Sequence, residues 1–351
     1  MKFLIVKTSS LGDIIQCFPV LEYLKDKFPD CQIDWVVEKS FSDLVKKHPL
    51  INRTICINTH AWRQGLFSCT QWRNMRAVRQ TLRAYTYDYV FDLQSNMKSG
   101  LLTSQARSPN KVGFGWKTAH EWPNVLFLNQ KYNPSKEGNI RDDYLSIVQS
   151  CFHDSNPYEG QGVQLIVTPE QQTVIQNILN MPYLKQRRKI MVCPGSAWRN
   201  KQMSEEALIS FLRQTQSYFN GGFLFVWGTQ EECALAQKLQ KEFPEQSEVV
   251  ARLPLAMLQN LMNQIDLVIA MDSLPLHLAG TTKVSTFSVF GSSLARKFKP
   301  KGSHHHSMQG PCPYGRTFLK RCPILRTCPT GACIRSLSGD EVFAELKLLC
   351  K

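Results

Sequence analysis

The feature that most constrains this chain is a rhythm that occurs twice. In the first half the short apolar runs FLIVK (3–7), IDWVVE (33–38), TICIN (54–58) and YVFDL (89–93) alternate with helix-spaced segments such as VLEYLKDKF and RNMRAVRQTLRAY. In the second half KIMVCPG (189–195), GFLFVWG (222–228), DLVIAMD (266–272) and STFSVFG (285–291) alternate with SEEALISFLRQTQSYF and QEECALAQKLQKEF. Short apolar runs suit strands buried on both faces, and strands separated by helices pair in parallel. The spacing therefore predicts an α/β chain of two Rossmann-like domains, each with a parallel sheet, facing each other across a cleft. A length of 351 residues agrees with two domains of ordinary size. The Asn-, Gly- and Pro-rich stretch HDSNPYEGQG (153–162) reads as the linker, which sets the domains at 1–158 and 159–351. The terminal DEVFAELKLLC is expected to form a short amphipathic helix that packs on either domain.

No stretch reaches about 18 consecutive apolar residues, and no basic leader precedes an apolar segment at the N-terminus. The expectation is a cytoplasmic protein, in which the twelve cysteines stay reduced rather than forming a disulfide framework. The net charge of +14 is unevenly placed. Residues 44–87 contain no Asp or Glu but hold Lys46, Lys47, Arg53, Arg63, Arg73, Arg76, Arg79 and Arg83. Residues 273–339 are also free of acids and rich in Lys and Arg. Two basic blocks point to an anionic partner: a phosphorylated small molecule, an anionic membrane surface or a nucleic acid. No recognition-helix, RNP or zinc-finger signature is present, and the polar residues gather at strand ends, which argues against nucleic acid.

Those strand ends carry the chemistry. In KTSSLGDIIQ (7–16), Asp13 stands where the first strand hands over to a helix, a position that either caps the helix or faces a ligand crevice. PGSAWRNK (194–201) offers Ser196 and Lys201, WGTQEE (227–232) ends in acids suited to ribose hydroxyls, and MDSLPLH (271–277) sets Asp272, Ser273 and His277 at a helix start. Phosphates bind at such helix starts through backbone N–H groups.

KTSSLGD (7–13), DWVVE (34–38), AWRQGLFS (61–68), YDYVFDLQSNMKS (87–99), WGTQEE and the Asp272-Ser-x-x-x-His277 pattern together resemble the heptosyltransferases of lipopolysaccharide core synthesis, glycosyltransferase family nine. The likeness covers almost the whole chain and is strongest to members that add the first heptose to Kdo-lipid A. It implies the GT-B fold and an inverting transfer from ADP-heptose to the Kdo of the lipid A inner core. A later core heptose or an autotransporter protein is the alternative acceptor. By the same resemblance Asp13 is the general base, and Lys201, Ser196 and His277 meet the charge on the departing ADP. Glu232, or Glu231 if the register slips, holds the ribose. Asp272 binds heptose hydroxyls and Ser273 phosphate. On the acceptor side stand Ser10, Gly12, Arg63, Lys98 and His120. No metal or other cofactor is required, because a Lys and helix amides do what a divalent ion does elsewhere. The protein is expected to sit peripherally on the inner face of the cytoplasmic membrane, with Trp62 and Trp72 among the contacting residues.

Three positions depart from the family pattern: Leu274 replaces a Gly, Ala197 a second Thr, and His120 an acceptor-side Arg. They leave room for a different donor or acceptor, or for an inactive sugar-nucleotide sensor. Retention of Asp13, Lys201, Glu232 and Asp272 argues for an enzyme. The C-terminal PCPYGRTFLKRCPILRTCPTGAC holds Cys312, Cys322, Cys328 and Cys333, a possible structural zinc or iron site without a clean CxxC pair. His304, His305 and His306 read as a loop run.

Overall fold

The computed structural model describes residues 1–64, 68–135 and 137–348, without the side chain of Arg63. It divides into two compact units, Met1–Ile166 and Val167–Lys351. This boundary lies beyond the expected 158/159 because residues 159–166 are tied to the first unit. The Gly162 N–H donates to Glu22 Oε2 at 2.9 Å, and the Ile166 N–H donates to the Lys47 carbonyl at 2.8 Å.

The first unit is built on six parallel strands: β1 (Lys2–Val6), β2 (Gln32–Glu38), β3 (Arg53–Ile57), β4 (Tyr89–Asp92), β5 (Asn110–Phe114) and β6 (Gln130–Tyr132). Their order is β3-β2-β1-β4-β5-β6. In register, Val6 of β1 faces Val36 of β2 on one side and Asp92 of β4 on the other. Phe3, Leu4, Ile5 and Val6 are all fully buried, as a central strand covered by helices on both faces must be. Alternate residues serve the two layers. Phe3 meets Phe28, Phe91 and Phe152, whereas Leu4 and Val6 join Val36, Leu82 and Leu102.

The second unit repeats the plan with β7 (Arg188–Cys193), β8 (Gly221–Phe225), β9 (Ser247–Val249), β10 (Leu267–Met271), β11 (Ser285–Phe290) and β12 (His305–Gln309). The order β12-β11-β10-β7-β8-β9 is the order of the first unit counted from this unit's own first strand. Both are the doubly wound arrangement, in which the strand order reverses beside the first strand and opens a crevice at the carboxyl edge. The helix Glu205–Phe219 shows how the sequence builds the layers. Ser204 Oγ accepts from the Ala207 N–H at 3.2 Å to cap its start, and Ala207, Leu208, Phe211, Leu212 and Thr215 form its buried stripe.

All eight strands expected from apolar runs are present. The sequence pattern misses β5, β6, β9 and β12, whose sequences NKVGF, QKY, SEV and HHSMQ are short or polar. Three of these are edge strands, where pairing on one side tolerates polar residues. The histidine run is therefore corrected: His305 and His306 belong to β12, and buried His305 shares a 3.0 Å hydrogen bond with Thr286 Oγ1. The terminal helix Gly339–Leu348 packs on the second unit, where Val342 and Leu346 join Phe211 and Leu212. Gly339 allows that close approach, since a Cβ there would lie 2.6 Å from the Phe211 nitrogen. Among the described residues no helix is long and apolar enough to cross a membrane.

Candidate functional site

The loops that follow β1, β2, β3, β4 and β5 all emerge at one edge of the first sheet. After β1 the chain is pinned to the loop after β4. Buried Lys7 donates to the Leu93 carbonyl at 3.1 Å and to the Tyr144 hydroxyl at 2.9 Å, while the Thr8 and Ser9 N–H groups both donate to Gln94 Oε1 at 3.0 Å. Ser10 then caps the short helix Leu11–Ile15, with Gly12 in its first turn and Asp13 at its third position. Asp13 Oδ2 accepts from the Ser10 N–H at 3.2 Å and from its hydroxyl at 2.7 Å. Asp13 thus belongs to a capping box, and it does so at the point where the strand order reverses.

Lys98, in the helix Met97–Gln105, donates to Glu38 Oε1 at 2.8 Å and to Thr59 Oγ1 at 3.4 Å. Glu38 also accepts from the Thr59 N–H at 3.1 Å and from its hydroxyl. The Lys98 ammonium is therefore neutralised by the last residue of β2 rather than standing open. The His120 N–H donates to Ser95 Oγ at 3.0 Å, and its side chain is exposed. The side chain of Arg63 lies outside the described residues, so its expected role is untouched by the geometry. Sequence reasoning passes over Asp92, which stands at a strand end as Asp272 does. It is fully buried and accepts from Asn124 Nδ2 at 2.6 Å and from the N–H groups of Ser95 at 2.9 Å and Gln94 at 3.1 Å. Burial pushes its carboxyl up, and these hydrogen bonds offset the rise only in part. Asp92 fixes the loop whose Gln94 holds the turn of Asp13.

In the second unit the equivalent crevice lies between the ends of β7 and β10. Here Lys201 Nζ meets Asp272 Oδ2 at 2.5 Å, and His277 Nε2 lies 3.6 Å from Asp272 Oδ1. Ser196 Oγ donates to the Asp272 carbonyl at 3.2 Å. All four residues are buried. Burial alone would push the Asp272 carboxyl up, but the His277 hydrogen bond and the Lys201 ammonium outweigh it and hold the group well below the ordinary carboxylate range. The cluster is an ionised carboxylate gripping a cation, so one of the three donors of the Lys201 ammonium is held by Asp272. Ser273 stands just before the helix Leu274–Ala279, and its hydroxyl donates to the Met271 carbonyl at 3.2 Å rather than accepting from a helix N–H. Leu274 opens that helix half-buried, and Ala197 is exposed.

Glu232 is the third residue of the helix Gln230–Glu242 and closes a capping box with Thr229. Its Oε2 accepts from the Gly228 N–H at 2.7 Å and the Thr229 N–H at 3.2 Å. The carboxylate lies over Gly195, where a Cβ would come within 2.3 Å of it. The turns after β7 and β8 are thus in contact, and a side chain at position 195 would have to displace the Glu232 carboxylate. Glu231 beside it is exposed.

Cys312, Cys322, Cys328 and Cys333 line one pocket, together with Asn200, Phe318, Ile324 and Leu325. Burial and the three neighbouring thiols push Cys333 up to about 11, whereas the N–H groups of Gly331 and Thr330 draw Cys328 down. The alternative of a structural zinc or iron here finds no assembled set of ligands. Among the described residues no group of three or more His, Cys, Asp or Glu is placed to hold a metal ion, and apolar side chains share the pocket lining.

The family model described as glycosyltransferase family 9 (heptosyltransferase) matches residues 75–324. The chain belongs to glycosyltransferase family 9. Lipopolysaccharide heptosyltransferase 1 of Escherichia coli (strain K12) is 36% identical to this family 9 chain over 137 residues, which is 39% of the chain and 43% of the relative. That match thus spans under half the length of the relative. The Pseudomonas aeruginosa protein of the same name is 26% identical over 291 residues, covering 83% of the chain and 79% of that protein. A solved structure, E. coli heptosyltransferase WaaC with ADP-2-deoxy-2-fluoro heptose, superposes with a TM-score of 0.76 at 24% identity, covering 99% of each chain. At that identity the likeness establishes the fold, so the family 9 chain has the expected GT-B architecture of two doubly wound sheets.

Proposed function

We propose that this family 9 chain transfers heptose from ADP-heptose to the Kdo of a lipid A inner-core acceptor, with inversion at the anomeric carbon and no divalent metal. The observation that carries the reading is the buried Lys201–Asp272–His277 cluster at the strand-order reversal of the second sheet. Family membership and the donor analogue named for the E. coli structure point the same way. In this reading the second unit serves the donor. Lys201, oriented by Asp272, and Ser196 meet the β-phosphate as charge develops on leaving ADP, with His277 and Ser273 beside them. Glu232 receives the ribose, and Asp272 accepts heptose hydroxyls. The first unit serves the acceptor. Asp13 takes the proton of the attacking Kdo hydroxyl while that oxygen bonds to the anomeric carbon and the bond from that carbon to the β-phosphate breaks. Ser10, Gly12, Lys98, Arg63 and His120 are assigned to the anionic acceptor.

Residues 44–87 are proposed to bring the protein to the inner face of the cytoplasmic membrane. Trp62 is half-buried and packs on the core formed by Leu82 and Leu102, whereas Trp72 is exposed. The test of the reaction is incubation with ADP-heptose and Kdo-lipid A in the presence of a chelator. A mass gain of one heptose on the lipid is expected. Gain only on an already heptosylated core, or only when a metal is restored, overturns the corresponding part of the reading.

A further inference from the structure

The second exceptional charge feature lies at the opposite edge of the first sheet. Helix Cys69–Arg83 leads into β4 and helix Met97–Gln105 leads into β5, so the C-terminal ends of both helices come to the amino edge. Val78 and Leu82 of the first helix pack with Leu102 of the second and with Ala106 just past its end, which sets the two helices side by side. Arg76, Arg79, Gln80 and Arg83 recur at helical spacing on the outward face of the first helix. Arg107 follows the second helix, and its carbonyl is held by the Tyr87 N–H at 2.8 Å. These five exposed side chains line one open surface depression of about 350 Å³.

Among the described residues none of the four guanidiniums forms an ion pair. The local positive field is felt by a neighbour: burial and then the charge of Arg83 draw the Lys111 ammonium down. Asp88, the first acid after the first helix, accepts from the Lys2 N–H at 2.6 Å. Four like charges side by side repel one another, an anion between them relieves that repulsion, and guanidinium forks match phosphate oxygens in pairs. A depression of this size admits a group carrying two or three phosphates.

We infer that Arg76, Arg79, Arg83 and Arg107 form a second anion site, which takes a phosphomonoester- or polyphosphate-bearing ligand. It lies away from the Asp13 edge; as a site for a free ligand it stands apart from the transfer reading, and as a site for a lipid headgroup it rests on and deepens the membrane contact proposed for residues 44–87. The same chemistry comes from a lipid headgroup or from a free polyphosphate. The test uses the full chain, its Arg79→Gln/Arg83→Gln variant, and a control, Arg213→Gln/Lys238→Gln, which removes equal charge from exposed ion pairs of the second unit. Sodium tripolyphosphate is titrated by calorimetry. Sedimentation is measured with phosphatidylcholine vesicles that contain phosphatidic acid or, at matched charge, phosphatidylglycerol. The pocket variant is expected to lose roughly tenfold or more in affinity for at least one probe, with the control unchanged. Loss confined to tripolyphosphate identifies a free ligand, and loss with preference for phosphatidic acid identifies a lipid headgroup. Equal loss in both variants, no loss in the pocket variant, or no binding of either probe overturns the site.

Discussion

The two units share one strand order and each sets an aspartate beside its strand-order reversal, Asp13 after the first strand of its unit and Asp272 after the fourth strand of its own, yet the two aspartates live in opposite surroundings. Asp13 sits in a half-exposed turn, held by the N–H and hydroxyl of Ser10 three residues before it. Asp272 is buried and held by Lys201, 71 residues away in sequence, and by His277. The comparison teaches that the doubly wound fold supplies a crevice, while the neighbours decide whether the acid there can exchange a proton. A locally held, accessible carboxylate suits a base. One locked against a buried ammonium suits a fixed electrostatic scaffold.

Exchanging the carboxylates for amides is the sharpest way to break that contrast. Asp13→Asn keeps an oxygen to accept from Ser10 but cannot take a proton. It should lower kcat by roughly two to four orders of magnitude with ADP affinity intact. Near-normal turnover with an intact fold would leave Asp13 as a helix cap alone. Lys201→Ala strips the partner from a buried carboxylate, so a stability loss of about 3–5 kcal/mol is expected in chemical denaturation. ADP affinity should fall roughly tenfold or more as well. Lost stability with unchanged ADP affinity would make Lys201 purely structural.

Acid should separate the units next. Buried His48 packs edge-on against Phe18 at 4.5 Å, and burial drives its imidazole from 6.5 down to about 3. The unfolded chain accepts that proton first, so this contribution to stability is present above 6.5 and is lost as pH falls toward 3. Asp272 is depressed instead from 3.8, so its contribution is complete above that value and is lost only below it. Urea midpoints followed from about pH 7 to 5 should therefore fall in wild type and flatten in His48→Gln, whereas Asp272→Asn should leave the slope in this window unchanged. Identical slopes for wild type and His48→Gln would refute the assignment. The smallest effect is expected from Glu232→Gln. Glutamine also closes a capping box, so stability should shift by no more than about 0.5 kcal/mol, and any larger change in ADP affinity reports ribose contact.

Much of this was legible beforehand for a physical reason. Interior strands such as FLIVK and DLVIAMD must be apolar throughout because helices cover both faces, and that pattern is local. Edge strands such as HHSMQ and QKY obey no such demand, so the pattern passes over them. The acids and hydroxyls at strand ends stood out because parallel strands deliver all their carboxyl ends to one edge. Their partners did not. Lys98 pairs with Glu38 from 60 residues away, and Asp92 is enclosed by Asn124 and Ser95.

The sequence by itself determined the two doubly wound units, their central strands and the positions of Asp13, Ser196, Lys201, Glu232 and Asp272 at strand ends. These follow from periodicities of two and 3.6 residues and from turn chemistry, which act over a few neighbours. Only the tertiary structure decided which charges are spent on one another. It ties Lys201 to Asp272 and Lys98 to Glu38, lays Glu232 over Gly195, and brings Arg107 beside Arg79 and Arg83. Charge interactions depend on distance and burial in space, and neither can be read along a chain until the sheet has brought its edges together.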